Sequence, residues 1–130
     1  MFSQTTHGYE VSVRPIFLRE HSVPEQGHYV WAYHVMIQNH SGETAQLLNR
    51  YWRITDAQGL VQEVRGPGVV GQHPELSPGK AYEYNSFTHL PTPTGHMEGT
   101  YEMKGLSGNV FQIEIPRFEL AIACRLVVSN

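Results

Sequence analysis

Tyr29-Val30-Trp31-Ala32-Tyr33-His34-Val35-Met36-Ile37-Gln38-Asn39 is the stretch whose reading decides the fold class. From Tyr29 to Ile37 every odd position is aromatic or β-branched, while the even positions include His34 and Gln38. Side chains that alternate with period two stand on opposite faces of an extended chain, so this stretch reads as a strand with one buried face. The same period marks strands at 9–18, 46–56, 60–65, 81–88, 97–104 and 110–120. Between them lie 39–42, 56–59, 66–71, 77–79, 91–95 and 105–109, rich in Gly, Pro, Asn, Asp and Ser. These residues make turns for separate reasons: Gly reaches positive φ, Pro fixes φ, and short polar side chains bond their own backbone. Asp56-Ala57-Gln58-Gly59 reads as a four-residue hairpin link. No window keeps the i, i+3, i+4, i+7 spacing of an amphipathic helix.

The expectation is an all-β sandwich of fibronectin type III or immunoglobulin type with about seven strands, a small β-barrel being the other possibility. The Cys…Trp…Cys mark of immunoglobulin domains is absent, because Cys124 is the one cysteine. Trp31 and Trp52 each lie on an apolar parity face and are expected in one core between the sheets.

The chain has 130 residues, a length that suits a single domain (1–130), with a core over about 9–120 and a tail over 121–130. Lys and Arg total 9 against 12 Asp and Glu, a net charge of −3, so the basic excess of a nucleic-acid binder is missing. Nothing at the start resembles a secretory signal, and no apolar run reaches the ~20 residues of a membrane-spanning helix. The expected compartment is the cytoplasm, which the single cysteine fits. Asn39-His40-Ser41 matches a glycosylation acceptor that only a secreted chain would use.

Gly66-Pro67-Gly68-Val69-Val70-Gly71 is a literal G-x-G-x-x-G. Such a loop can cradle a pyrophosphate on its backbone N–H groups, provided that a helix opens after it. Here Pro74, Pro78 and Gly79 follow closely, and Pro67 lacks a donor, so a tight glycine-rich connection is the simpler reading. Gly66, Gly68, Val69, Val70 and Gly71 nevertheless form the candidate ligand-binding loop. Arg50 shares parity with Leu48, Trp52 and Ile54, so it starts on the core side. It is read either as a structural ion pair or, with Trp52 and His96, as an interaction surface; Arg and Trp are frequent hot-spot residues.

Eight histidines show no H-x-H or H-E-x-x-H spacing. His28 and His34, six apart in one strand, would lie about 20 Å apart. No metal site is assigned; His73, His89 and His96 are the loop histidines to inspect. Cys124 sits in an apolar tail and reads as an inert thiol. No catalytic constellation stands at a known spacing, and no cofactor is implied.

Several ordered pieces then carry a resemblance. They are Gln46-Leu47-Leu48-x-Arg50-x-Trp52-x-Ile54-Thr55-Asp56-x-x-Gly59, Val64-x-Gly66-x-Gly68-Val69-Val70-Gly71-x-x-Pro74, Pro78-Gly79, Tyr84-x-Ser86, Thr92-Pro93-x-Gly95-x-Met97-x-Gly99-x-Tyr101 and Ile115-Pro116-x-Phe118-x-Leu120. From about residue 9 to 120 the chain resembles the bacterial ApaG family. Tyr51, Phe87 and Gln72-His73 depart from the pattern, which usually has His, Gly and Glu-Gln there.

The resemblance implies a fibronectin type III-like sandwich without an established enzymatic activity. It implies a gene neighbourhood shared with a diadenosine-tetraphosphate hydrolase, and related domains in eukaryotic F-box and polymerase-delta-interacting proteins. Bacterial members are also described as cobalt and magnesium efflux proteins. The expectation is therefore a non-enzymatic protein-interaction module. The alternatives are a binder of pyrophosphate or a dinucleoside polyphosphate through the 66–71 loop, or an accessory factor in cobalt and magnesium homeostasis. The partner is unspecified; self-association through an edge strand or the apolar tail (Leu126, Val127, Val128) is a further expectation.

Overall fold

The computed structural model describes residues 1–122. It is all-β, two antiparallel sheets packed face to face. One sheet has the order β1 (Phe2–Thr6), β2 (Tyr9–Phe17), β3 (Tyr29–Asn39), β7 (Ala81–Leu90). The other runs β5 (Val61–Pro67), β4 (Ala45–Asp56), β8 (Thr94–Gly105), β9 (Val110–Ala121), and the two-residue β6 (Glu75–Leu76) extends the β5 edge by pairing with β4. The chain changes sheet at β3–β4, β6–β7 and β7–β8, the crossed connectivity of a Greek-key sandwich. The only helical pieces among the described residues are three-residue 3₁₀ turns at Arg19–His21 and Pro24–Gln26. Among the described residues no helix is long and apolar enough to cross a membrane.

The seven expected strands are present, together with two that the pattern did not reveal. β1 contains one apolar residue, Phe2, and exists because it pairs along β2 through the His7-Gly8 turn. Both turn residues have positive φ (52° and 84°), as a two-residue hairpin requires. β6 is too short to show a period. Asp56 makes the expected hairpin link: its Oδ1 accepts from Gln58 N at 2.8 Å and Leu60 N at 3.0 Å.

The alternation of β3 holds: Trp31, Tyr33, Val35 and Ile37 are buried between the sheets. Trp31 and Trp52 are 1% and 3% exposed and share one core. Tyr33 and Trp52 meet across the sheets with ring centres 5.3 Å apart, and Trp52 stands edge-on to Phe118 at 6.0 Å. Truncating a buried tryptophan of this kind to alanine removes about 3–5 kcal/mol.

Parity is not continuous along β4. Ala45 and Leu47 face inward, then a bulge between Leu47 and Asn49 moves the inward set to Trp52, Ile54 and Asp56. Leu48 therefore does not share the inward face with Trp52, contrary to the straight count. β9 carries a second bulge at Pro116-Arg117, opposite Glu98, and its buried set changes from Ile113 and Ile115 to Phe118 and Leu120. The glycosylation reading of Asn39 is also overturned. Asn39 is fully buried, and its Nδ2 donates to Glu43 O (2.7 Å) and Leu76 O (2.9 Å). Its Oδ1 accepts from Ser41 N (2.8 Å) and Ser41 Oγ (2.6 Å), so the side chain clamps the β3–β4 crossover onto β6. Cys124, Leu126, Val127 and Val128, with the expectations placed on them, lie outside the described residues.

Candidate functional site

The two flanks of the sandwich differ. On one, β1 lies beside β9: Phe2 packs on Phe118 (6.0 Å) and Glu114 N donates to Thr6 Oγ1 at 3.1 Å. On the other, β7 is the free edge of its sheet and the connection after β5 folds over the opposite sheet. Between them opens a mouth of about 310 Å³, walled by Tyr33, Trp52 and Tyr84, floored by Arg50, and rimmed by Val70 and Phe87. Val70 and Phe87 are 63% and 65% exposed; Phe87 has the outer parity of β7, opposite Ala32, and borders the opening from the outer face of its sheet.

Arg50 follows the inward parity of Trp52 and is half-buried. The expected ion pair is not made: no Asp or Glu among the described residues pairs with it. Instead its Nη1 donates to Pro67 O (2.9 Å) and Gly68 O (3.0 Å). Burial pushes the Tyr33, Tyr84 and Tyr101 hydroxyls above the ordinary phenol value, so none supplies a phenolate to Arg50. Tyr84 and Tyr101 share a hydrogen bond between their hydroxyls deep in the core. Arg50 stays partly in water, so its charge is solvated there and its remaining N–H groups are open to a ligand.

The 66–71 loop owes its glycines to packing. A Cβ on Gly66 would stand 3.0 Å from the Arg50 guanidinium, which lies against that backbone. Gly68 has φ +61° with Gln72 O only 2.3 Å from the Cβ position. Val69 and Gln72 exchange N–H···O bonds of 2.9 Å each, closing a two-residue turn on Val70 and Gly71 with φ of 48° and 76°. Both central residues need positive φ, the type I′ pattern that favours Asn-Gly. A β-branched residue there is strained by about 1–2 kcal/mol. Gly68 N donates to Leu48 O at 2.9 Å. The N–H groups of Gly68, Val69 and Gln72 are thus committed internally, Pro67 has none, and β6 follows instead of a helix. The loop turns carbonyls toward a cation, whereas a pyrophosphate cradle turns amides toward an anion.

His96 does not join Arg50 and Trp52. It lies on the outer face of β8, with Nδ1 3.3 Å from Arg117 Nη2 and Nε2 3.9 Å from Glu98. His73 Nδ1 approaches Leu47 O at 3.3 Å, while His89 stacks on His28 with ring centres 4.4 Å apart. The His28–His89 contact follows from the Val30–His89 register, which composition does not reveal. Among the described residues no three His, Cys, Asp or Glu side chains converge as metal ligands. A larger concavity of about 430 Å³ opens on the other side of Arg50, lined by it together with Asn49, Tyr51, Arg65 and Glu102. There Arg65 lies 4.5 Å over the Tyr51 ring, and Asn49 Nδ2 donates to Glu102 at 2.6 Å. The sequence does not bring Val70 and Phe87 together, because β7 and the 66–71 loop are joined only by the sandwich itself; the Val-Gly pair at a two-residue turn is the available signal.

Comparison with known proteins places this arrangement. The family model described as DUF525, ApaG domain, matches residues 19–105. Protein ApaG of Paramagnetospirillum magneticum is 58% identical over 120 residues, covering 92% of each chain. Protein ApaG of Rhodospirillum centenum is 55% identical over the same length and coverage. The crystal structure of the putative ApaA protein from Bordetella pertussis superimposes with a TM-score of 0.85 at 50% identity, over 87% of this chain and 92% of that one. Sequence and fold agree, and the chain belongs to the ApaG domain family.

Proposed function

We propose that this protein is a non-enzymatic cytoplasmic module that acts by associating with another protein, and that the mouth between β7 and the 69–72 turn is where the partner docks. The observation that carries the reading is Val70: a β-branched residue held at φ 48° yet 63% exposed. Strain that brings no internal packing tends to sit at contact sites. Phe87, 65% exposed across the opening, supplies a second apolar anchor, and β7 offers unpaired backbone alongside. Turnover is not part of the reading, because the polar groups of the mouth comprise one guanidinium and neutral hydroxyls, with no nucleophile–base pair.

The test is a photo-crosslinking amino acid placed at Phe87 and, as a remote control, at Val110, which is 54% exposed on β9. A partner crosslinked at position 87, then purified, should bind the wild-type protein and lose at least tenfold in affinity to Phe87→Ser. Equal binding of Phe87→Ser, or crosslinks confined to position 110, would place the contact elsewhere.

A further inference from the structure

The chemistry of the mouth says what the partner presents. Resting on the reading of this mouth as the docking face, we propose that Arg50 is a carboxylate subsite, which receives one acidic side chain from a partner strand laid along β7. Three features lead there. Arg50 is half-buried, its ion-pair capacity is unused by any described Asp or Glu, and only Nη1 is engaged, by two neutral carbonyls. A guanidinium presents five N–H donors in a fork that matches a carboxylate, so open donors remain.

The walls decide against a polyphosphate. Arg50 is the only cation lining the mouth, and the other walls are the rings of Tyr33, Trp52 and Tyr84. A pyrophosphate would bring several charges to one guanidinium on a chain whose net charge is −3. A single carboxylate on a methylene stem matches one cation and leaves the apolar stem against the rings.

The position of the mouth decides for a side chain over a chain end. It is lined by Tyr84, Asn85, Ser86 and Phe87, in the middle of β7, which runs from Ala81 to Leu90. Among the described residues strand β7 pairs only with β3, and none of them pairs with its other side. A strand added there passes the mouth with residues on both sides of it, so a side chain points in while its backbone pairs with β7.

The test compares two blocked pentapeptides in ¹⁵N-resolved NMR titrations of the wild-type chain: alternating threonine and valine with glutamate at the centre, and the same peptide with glutamine there. The glutamate peptide should shift the resonances of residues 69–72 and 84–87, and the glutamine peptide should bind at least tenfold more weakly to the same residues. Equal binding of both at those residues leaves the docking face standing and overturns the carboxylate subsite. Shifts confined to other strands, or none with either peptide, overturn it too, while the crosslinking at Phe87 judges the docking face separately. Displacement of the glutamate peptide by a lower concentration of inorganic pyrophosphate would make the site a phosphate site and overturn the proposal. So would a dimer in sedimentation whose contact covers residues 84–87, since the occupant would then be a second copy. Arg50→Lys, which keeps the charge and loses the fork, should retain part of the glutamate preference; a variant that keeps all of it contradicts bidentate recognition.

Discussion

Replacing Val70 with asparagine should make the protein more stable and a poorer binder. Val70 sits at φ 48°, where a β-branched residue carries strain of about 1–2 kcal/mol. Asparagine tolerates this backbone, and Asn-Gly is the preferred pair for the turn that Val70 and Gly71 form. Against that gain stands lost burial. A fully buried valine contributes about 1.5–3 kcal/mol, but Val70 is 63% exposed, so about a third of that, or ~0.5–1 kcal/mol, is at stake. The balance favours the variant by about 0.5–1 kcal/mol, about 2–5 °C in melting temperature for a domain of this size. Urea unfolding followed by tryptophan fluorescence reads the change as a higher midpoint with an unchanged slope. If Val70→Asn instead loses more than about 1 kcal/mol, the side chain packs internally and the argument that strain marks a contact site fails.

Alkaline pH should reveal the buried tyrosine pair. Burial pushes the Tyr84 and Tyr101 hydroxyls well above the usual phenol value, so the unfolded chain releases these protons first. Their stabilisation is complete below the unfolded value near 10 and is lost as pH climbs toward the folded values. Absorbance at 295 nm should show these two groups ionising together with unfolding, and early ionisation in a still-folded protein would contradict their burial. Asn39→Asp should cost about 2–4 kcal/mol, because it removes the donors to Glu43 O and Leu76 O and buries a charge; an unchanged urea midpoint would refute the clamp. Calorimetry with diadenosine tetraphosphate should give a Kd weaker than about 10 µM, since the Gly68, Val69 and Gln72 amides are committed and Pro67 has none; a tighter value abolished by Gly68→Ala would restore the cradle.

The sequence exposes what is periodic and local. β3 shows its buried face because five successive odd positions are apolar, and the Asp56 turn shows itself because one short side chain bonds its own backbone. What stayed hidden is non-local. β1 is recruited by pairing and not by its own residues, and the bulge at Leu48 changes parity without any Gly or Pro to announce it. Arg50 stands out by its parity, but its partners, the Pro67 and Gly68 carbonyls, lie in another strand and loop. Asn39 matched a surface motif while its environment placed it at the centre of a crossover.

The uneven treatment of the sheet edges has a consequence for valence. β9 is interrupted by its Pro116 bulge and carries Glu114, Arg117 and Glu119 outward; β5 holds Glu63, Arg65 and Pro67; β1 is only five residues long. Each of these devices discourages strand addition. β7 has ten residues, no proline, and an unbroken register with β3. A body with two open edges can hand strands on without end and grow into a fibre. A body with one open edge satisfies it once and is then inert. On the docking proposed above, this sandwich accepts a single strand and stops.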